Sequence, residues 1–403
     1  MLKIAYIGQK GILNPSGGGV ETHVEELSLR MAKKGHTVFL YTRPHYTPKE
    51  YKKYEEVNLV SLPSIHTKHL DALSHSFLAI IHAIKNKVDI IHIHGVGPSF
   101  WSFLPRILAP RIKVVSTAHS QDWEHQKWNW FARTSLKFGA WVSSKTANEI
   151  ITVSKELQKR FLQLYNRSIT LIPNGVVTKK NINKNINLIK KFNLEKNKYI
   201  LIVSRLVRHK GIHYLIEAFK QIKNNPNYKD FKLVIVGPTA FTNDYFEFLK
   251  QMVDGHKDII FSGAQNGETL ENLFANAYLY VSPSMSEGLS IALLEAMSYA
   301  KSVLVSDIPA NLDVIYGDTN LGSVGFAFKN KNVIDLVYKL SALLDNPKIV
   351  RQVGNKAQKY VNVYYNWDQI ADRINKIYMG AVYAKDKARQ PLYKQFIYAL
   401  KRA

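Results

Sequence analysis

The sequence alternates between short apolar strands and amphipathic helices over most of its 403 residues, and this alternation limits the folds open to it. Lys3–Gly8 predicts a strand, Val20–Lys34 an amphipathic helix that ends at Gly35, and Thr37–Tyr41 a second strand. Further strand and helix units follow as far as Ser168–Leu171, and they include a predicted helix at Pro98–Leu108. Repeated units of this kind form a mostly parallel sheet with helices on both faces.

A second alternating series begins at Tyr199, after a segment between residues 176 and 191 that is rich in Lys and Asn. That segment has little apolar periodicity, which is typical of an interdomain linker. Because domains average about 150 residues, we predict one domain at 1–178 and another at 196–364. The predicted fold class is α/β, with two doubly wound, Rossmann-like sheets in tandem. The expected site is the cleft between them, beyond the carboxyl ends of the strands.

Two carboxylates near residue 290 occupy positions that folding alone does not explain. Glu287 lies in a turn just before Leu289–Ala300, a segment that predicts a helix. Glu295 is the only polar residue within Ile291–Met297, and burial of an unpaired carboxylate is costly. The pair would bracket roughly 10 Å, the length of a sugar-diphosphate-ribose, with helix N–H groups facing the diphosphate. This pattern indicates a nucleotide-sugar site, although two solvated glutamates would give the same sequence.

Three consecutive glycines, Gly17, Gly18 and Gly19, precede the first helix. Glycines at a helix N-terminus let a phosphate approach the backbone N–H groups, and a flexible surface loop is the alternative. A dinucleotide-binding fold would instead have a GxGxxG turn and an acidic residue after the second strand. The second strand here ends at Arg43, which disfavours a nicotinamide-dependent oxidoreductase.

Two cations and two histidines also fall at predicted strand ends. Arg205 and Lys210 follow the first strand of the second domain, where fixed cations would stabilise a leaving diphosphate. A basic helix cap is the alternative for this pair. His94 and His119 end two strands of the first domain, and a lone histidine in such a position is more often structural.

The net charge of +24 is unevenly distributed along the chain. Residues 1–175 contain 23 Lys and Arg against 12 Asp and Glu, whereas residues 201–382 contain 19 against 17. An excess of this kind attracts anionic lipid or nucleic acid, and a Lys-rich composition without function is the alternative. Trp123, Trp128 and Trp130 lie among basic residues and would stack on sugars, sit at a lipid surface or pack in a core.

Absent sequence features exclude several other classes. The chain has no Cys, which rules out disulfides, thiolate catalysis and cysteine metal sites. The first residues lack the pattern of a signal peptide, and no apolar run reaches the length of a membrane span. We therefore expect a soluble or peripheral protein.

Several motifs together resemble the retaining glycosyltransferases of family 4, which have the two-domain architecture called GT-B. The resemblance covers nearly the whole chain. It is carried by EGLSIALLE with Glu287 and Glu295, SRLVRHKG with Arg205 and Lys210, GGGVETHVEEL near the start, TAH ending at His119, and IPNGV at Asn174. The segments KHLDALSH and HSQDWEHQKWNWFAR also resemble a bacterial subgroup that builds surface polysaccharides.

The resemblance implies a role for each matching residue on the donor. Arg205 and Lys210 would hold the donor diphosphate, and Glu295 would bind the ribose hydroxyls. Glu287 would bind the transferred sugar together with the backbone of Gly288 and Leu289.

Three further residues would act from the facing domain. His119 would contact a sugar hydroxyl near the reacting carbon. Gly18 and Gly19 would approach the donor phosphates or the acceptor. Transfer would retain the anomeric configuration without a protein nucleophile.

The sequence departs from the family pattern in two places. Leu289-Ser290 replaces the Phe-Pro that often follows Glu-Gly, which leaves the donor sugar open. No Asp-x-Asp motif is present, so we expect no metal and no cofactor, with Arg205 and Lys210 balancing the diphosphate charge.

The resemblance also bears on the last residues and on the acceptor. Residues 365–403 would form a helix that crosses back to the first domain and then a basic amphipathic tail, which either lies on a membrane or packs on the protein. The expected acceptor is a glycan or lipid-linked glycan, and the expected location is cytoplasmic, on the inner face of an anionic membrane. A non-hydrolysing nucleotide-sugar epimerase of the same fold and a polyanion- or nucleic-acid-binding protein are the alternatives.

Overall fold

The computed structural model describes residues 1–12, 17–67, 70–120, 130–178, 185–239, 243–317 and 322–383. Within them the chain forms two parallel sheets, each covered by helices on both faces, which confirms the predicted fold class. Trp123, Trp128, the side chain of Trp130 and the predicted tail from residue 384 onward lie outside this description.

The first sheet has eight strands in the order β3-β4-β2-β1-β5-β6-β7-β8. Neighbouring strands are parallel, apart from β3, which is antiparallel to β4. The strands are β1 (Lys3–Ile7), β2 (Thr37–Thr42), β3 (Lys53–Tyr54), β4 (Val57–Ser61), β5 (Ile90–His94), β6 (Lys113–Ala118), β7 (Glu149–Thr152) and β8 (Thr170–Leu171). Its helices are α1 (Gly19–Lys33), α2 (Asp71–Lys85), α3 (Leu104–Leu108), α4 (Trp130–Thr146) and α5 (Lys155–Tyr165), with a 3-10 turn at Pro98–Trp101.

The second sheet has six parallel strands in the order β11-β10-β9-β12-β13-β14. These are β9 (Tyr199–Val203), β10 (Lys232–Val236), β11 (Ile259–Gly263), β12 (Leu279–Ser282), β13 (Val303–Ser306) and β14 (Phe326–Phe328). The helices are α6 (Asn187–Lys190), α7 (Ile212–Ile222), α8 (Asn243–Val253), α9 (Gly267–Asn276), α10 (Ile291–Ser298), α11 (Pro309–Ile315), α12 (Val333–Leu344), α13 (Pro347–Tyr364) and α14 (Trp367–Tyr383), with 3-10 turns at Arg208–Lys210 and Pro226–Tyr228.

Strand order reverses beside the first strand of each sheet, and this reversal locates the cleft. In the first sheet β1 lies between β2 and β5, and in the second β9 lies between β10 and β12. The chain connections on the two sides of such a strand run in opposite directions. This leaves a crevice at the carboxyl ends of the strands, where ligands bind. The continuous apolar sequences of the central strands suit burial on both faces, since each sheet has a hydrophobic core on either side.

Helix α14 returns to the first domain, as predicted. Trp367, Ile374 and Tyr378 are buried in the core that also contains Ile4 and Tyr6. The Tyr378 hydroxyl lies 3.0 Å from the Tyr6 hydroxyl. The final described helix therefore belongs to the first core, although it follows the second sheet in sequence. The domain limits given above, at 178, 196, 364 and 403, stay predictions.

Two predicted helices were wrong in detail. The helix expected at Leu289–Ala300 begins at Ile291, because Ser290 caps it by accepting a hydrogen bond from the Leu293 N–H at 3.3 Å. The helix expected at Pro98–Leu108 is a 3-10 turn followed by α3, and Pro105 lies in the first turn of α3, where a missing N–H is tolerated. Among the described residues, no helix is long and apolar enough to cross a membrane.

Candidate functional site

A cavity of about 580 Å³ lies between the two domains, at the carboxyl ends of both sheets. Its wall combines the start of α1 and the ends of β6 and β9 with the loop that precedes α10. The nine residues to which the family resemblance assigns a role all line this one cavity: Gly18, Gly19, His119, Arg205, Lys210, Glu287, Gly288, Leu289 and Glu295. The structure therefore brings the candidate residues together, while their individual roles stay predictions.

Lys210 and Glu287 form a salt bridge at the cavity wall, with 15% of the Lys210 side chain and 10% of the Glu287 side chain exposed. The Ser284 hydroxyl also donates to the same Glu287 oxygen at 2.7 Å. Backbone packing fixes the pair, because a Cβ at Gly211 would lie 2.0 Å from the Pro283 carbonyl oxygen. Gly211 also has a φ of +68°, so the turn after Lys210 requires glycine for two reasons.

Arg205 faces the start of α1 across the cavity. The position that a Cβ would take on Gly18 is 4.0 Å from Arg205 Nε, and the corresponding position on Gly19 is 3.6 Å from the Ile291 side chain. The N-terminus of α1 and the cation of the second domain therefore approach the same volume. Positive helix ends and a guanidinium both favour an anionic ligand there.

Glu295 lies in the second turn of α10, half-buried and on the cavity side. Since the helix begins at Ile291, Glu295 is four residues from its start, or about 6 Å along the axis. Glu295 therefore lies less far below the helix start than the roughly 10 Å that a helix beginning at residue 288 or 289 would give, because residues 287 to 290 precede the helix.

Gly288 lies directly against the end of β6. A Cβ at this position would be 1.8 Å from the His119 carbonyl oxygen, closer than any two such atoms can approach. The contact requires glycine and joins the loop of the second domain to the strand end of the first. The contact also fixes the position of His119 relative to Glu287, the residue that precedes Gly288.

Asn174 is a site residue that the sequence had marked only as part of a motif. Its Nδ2 donates to the Leu289 carbonyl oxygen at 3.0 Å, and its Oδ1 accepts from His23 Nδ1 at 2.9 Å. The first bond fixes the amide orientation, since a carbonyl oxygen can only accept. His23 therefore carries its proton on Nδ1.

A buried group of histidines stands behind His119. His94 Nδ1 lies 3.1 Å from His119 Nε2, and the His23 ring packs edge-on against the His119 ring at 4.8 Å. Burial lowers the pKa of His23 to about 4, although the Asn174 bond opposes this shift. Burial also holds the pKa values of His94 and His119 well below 6.5, helped by the neighbouring histidines. All three are therefore neutral at neutral pH.

The tautomer of His119 follows from the hydrogen bonding of His94. His94 Nε2 is buried and has no hydrogen-bond partner among the described residues. A buried N–H without an acceptor is rarer than a buried lone pair without a donor, so we place the His94 proton on Nδ1. His94 then donates to His119 Nε2, and His119 keeps its own proton on Nδ1. His119 can therefore donate a hydrogen bond to a ligand hydroxyl in the cavity.

Two clusters of described residues have possible ligand atoms within 4.8 Å of one another: His23, His94 and His119, and His45, His66 and Asp71. In the first cluster, a hydrogen bond already joins His94 to His119. In the second, Asp71 is paired with the buried Arg43 at 2.6 Å. Both arrangements are explained by hydrogen bonds and ion pairs, and we assign no metal to either.

Two family models account for most of the chain. The model for Glycosyltransferase Family 4 matches residues 17–180, and the model for Glycosyl transferases group 1 matches residues 184–360. The chain belongs to these glycosyltransferases. The matched segments contain all nine candidate residues of the cavity.

Curated relatives of this glycosyltransferase are similar over most of their length. An uncharacterized glycosyltransferase of Methanocaldococcus jannaschii is 27% identical over 383 residues, which cover 91% of this chain and 95% of the relative. The UDP-Gal:alpha-D-GlcNAc-diphosphoundecaprenol alpha-1,3-galactosyltransferase of Escherichia coli is 27% identical over 312 residues, covering 75% and 78%.

A solved structure supports the GT-B architecture. Anabaena Alr3699/HepE in complex with UDP and glucose superposes with a TM-score of 0.76 at 18% identity, covering 94% of this chain and 99% of that one. At this identity the likeness shows the fold alone.

Proposed function

We propose that this glycosyltransferase moves a sugar from a nucleoside-diphosphate sugar to a glycan or lipid-linked glycan acceptor, with retained configuration. The observation that carries the proposal is the convergence of two cations, two carboxylates and a helix N-terminus on one interdomain cavity. A donor of this type has an anionic diphosphate between two hydroxyl-rich groups. The cavity offers partners of matching chemistry for all three parts.

Charge on the leaving diphosphate would be balanced by the protein. Arg205 and Lys210 follow β9, and the start of α1 faces Arg205 from the other domain. Fixed positive groups stabilise charge that develops as the glycosidic bond breaks. We propose that these groups, rather than a divalent ion, perform this task.

The two carboxylates would bind opposite ends of the donor. Glu295 would accept hydrogen bonds from the ribose hydroxyls, and Glu287 would orient the transferred sugar. Glu287 already accepts bonds from Lys210 and Ser284, which lowers its availability as a nucleophile. This arrangement supports departure and attack on the same face of the sugar, in which no covalent enzyme intermediate forms. His119 would donate from Nδ1 to a sugar hydroxyl.

The acceptor class rests on the relatives. The printed name of the Escherichia coli relative gives it a UDP-galactose donor and a diphosphoundecaprenol-linked acceptor. A second relative, from Campylobacter jejuni, is named an N,N'-diacetylbacillosaminyl-diphospho-undecaprenol alpha-1,3-N-acetylgalactosaminyltransferase. We propose that this chain likewise acts in cell-surface polysaccharide synthesis, in the cytoplasm at the inner face of the membrane.

The proposal is tested by thermal shift with a panel of nucleotides and nucleotide sugars. A donor at 100 times its Kd raises the unfolding free energy by about 2.7 kcal/mol, so the right donor is recognised by a higher Tm. Transfer is then measured with that donor and polyprenyl-diphosphate-linked sugars. If no nucleotide shifts the Tm and Arg205→Ala changes nothing, the proposal is wrong. Conversion of the donor into an epimeric nucleotide sugar, without a glycosylated acceptor, would identify the non-hydrolysing epimerase instead.

A further inference from the structure

Charged side chains of the cavity wall are divided unevenly between the two domains. Among the described residues that line the cavity, the Lys and Arg residues are Arg205 and Lys210, and both come from the second domain. The first domain contributes two carboxylates, Glu21 and Glu25, and none of these cations. An ionised carboxylate only accepts hydrogen bonds and repels a second negative charge. The first-domain wall therefore suits a ligand group that donates hydrogen bonds and carries no negative charge.

The two carboxylates of α1 differ in their hydrogen bonds. Glu21 Oε1 accepts from the Lys10 N–H at 3.2 Å, and its Oε2 accepts from the Gly18 N–H at 2.7 Å. Both oxygens of Glu21 are thus used by the backbone of the loop before the helix.

Glu25 lies one turn further along the same face of α1, since residues four apart are neighbours on a helix surface. Its Oε1 accepts from the Tyr54 hydroxyl at 3.0 Å, and its Oε2 has no hydrogen-bond partner among the described residues. The side chain is half-buried and lines the cavity. One oxygen of Glu25 is therefore held in place by Tyr54, and the other is available to a ligand.

The charged neighbours that act on Glu25, within the part of the chain that the structure describes, are themselves carboxylates. Burial raises the pKa of Glu25 above its ordinary value; the Tyr54 hydrogen bond opposes this shift, and Glu26 and Glu55 add to it. A half-buried carboxylate in such surroundings is stabilised by hydroxyl donors and destabilised by a further negative charge. The position should therefore select a ligand by its charge as well as by its hydrogen bonds.

We propose that Glu25 accepts a hydrogen bond from a hydroxyl group of the acceptor's terminal sugar, and that this sugar is uncharged. This role rests on the proposed transfer reaction and adds the chemical class of its acceptor. The donor already has its proposed hydroxyl-binding carboxylates, Glu287 and Glu295, on the second domain. Glu25 lies on the first domain, about 9 Å along α1 from Gly19, and remains for the second substrate. A uronic acid in its place would bring a second carboxylate against Glu25 and bind less tightly.

The experiment compares neutral sugars with acidic ones. The probes are short-chain alkyl diphosphates linked to glucose, galactose or N-acetylglucosamine, each beside the corresponding uronic acid, and calorimetry measures their binding to the full chain with and without UDP. We expect the wild type to bind at least one neutral probe about tenfold more tightly than its acidic counterpart. Glu25→Gln should weaken that neutral probe about tenfold, because a hydrogen bond to a charged group is lost, and should remove most of the discrimination against the acidic one.

Glu26→Gln is the matched control. Glu26 is adjacent to Glu25 on α1, loses the same charge on substitution, pairs with Arg30 and lies outside the cavity lining. This variant should bind both members of each probe pair like the wild type. Tyr54→Phe removes only the hydroxyl donor and keeps the carboxylate, so it should retain the preference for the neutral sugar. Equal Tm values for the three variants establish that folding is intact.

Three results would overturn the proposal. One is a wild type that binds none of the neutral probes or prefers an acidic probe to its neutral counterpart. Another is a Glu25→Gln variant with the wild-type ratio of the two affinities. The last is weaker UDP binding by this variant with unchanged sugar binding, which would place Glu25 at the donor nucleotide. Failure of the donor site itself is a separate result, because nucleotide-induced shifts of the Tm measure it without any acceptor.

Discussion

Asn174 Nδ2 donates to the Leu289 carbonyl oxygen at 3.0 Å, and the bond joins the edge of the first domain to the loop that holds Glu287 and Gly288. The same amide accepts from His23 on α1. One buried side chain therefore sets the position of both walls of the cavity. Its loss should disturb the site more than the fold.

Asn174→Ala should reduce kcat/KM by about tenfold or more, because it leaves His23 Nδ1 and the Leu289 carbonyl without partners at about 1 to 3 kcal/mol each. The measurement is steady-state transfer beside a thermal melt. Asn58→Ala is the matched control, since Asn58 Nδ2 also donates to a backbone carbonyl, that of Val38, at 3.0 Å, but outside the cavity. Equal activity losses in the two variants would contradict a site-specific role.

Glu287→Ala and Glu295→Ala should have different effects. Removal of Glu295 should mainly raise the Kd for the nucleotide, because its proposed partner is the ribose. Removal of Glu287 should mainly lower kcat, because it leaves Lys210 without its partner beside the transferred sugar. Nucleotide titration calorimetry and single-turnover rates separate the two. Glu268→Ala, at an exposed glutamate on α9, serves as the control. The same kinetic defect in both site variants would mean that the carboxylates do not bind separate parts of the donor.

His94 should act on His119 through the single proton between them. His94→Leu removes the donor to His119 Nε2 and should lower kcat, whereas His94→Asn offers an amide N–H and should retain more activity. Nitrogen-15 NMR of labelled histidines reads the tautomer directly. We expect His119 to carry its proton on Nδ1 in the wild type. A His119 proton on Nε2 would reverse the assignment of donor and acceptor.

Stability should fall as the pH drops from about 6.5 toward 4. Burial lowers the pKa of His23 and of His75 to about 4, so the folded chain binds fewer protons than the unfolded chain in this range. Each such histidine contributes stability that is complete above its unfolded pKa and is lost by roughly 1 kcal/mol per pH unit below it. Urea unfolding across this range measures the slope. His75→Phe should reduce it, the exposed His256→Asn should not, and a flat wild-type profile would refute the idea.

Gly288→Ala should abolish transfer while leaving the protein folded. The new methyl group would overlap the His119 carbonyl oxygen, so the loop would have to move away from the first domain. Gly380→Ala is the control, because a Cβ there meets nothing within 4 Å in the last turn of α14 and should add up to about 1 kcal/mol of stability. Full activity in Gly288→Ala would show that the contact is dispensable.

Most of the residues that sequence reasoning found stand where a strand or a loop gives way to a helix, whereas Glu295 lies inside α10 and was found as the one carboxylate in an apolar helix. Arg205 and Lys210 follow β9, Glu287 precedes α10, and Gly18 precedes α1. Parallel βα units place all such positions at one edge of a sheet, so local patterns suffice to gather them. The start of α10 was predicted too early because Leu289 continues the apolar helix pattern, whereas Ser290 caps the helix and fixes its start at Ile291.

The contacts of Asn174 and His23 could not be found in this way. They lie 151 residues apart and meet only because the loop that follows β8 lies against α1. The pairing of Lys210 with Glu287 depends likewise on a close backbone approach at Gly211. Long-range packing sets such contacts, and no local period in the sequence records them.

The return of α14 has a mechanical consequence. The chain leaves the first domain near Val176 and re-enters it at Trp367, and the two passages are tied together where the Val176 N–H donates to the Tyr365 carbonyl oxygen at 2.7 Å. With both passages fixed at one point, the domains are expected to swing about it rather than separate. Asn174, close to that pivot, would shift little during opening, whereas Arg205 and the start of α1 would move apart. Donor entry would therefore proceed from the side of the cavity remote from Trp367.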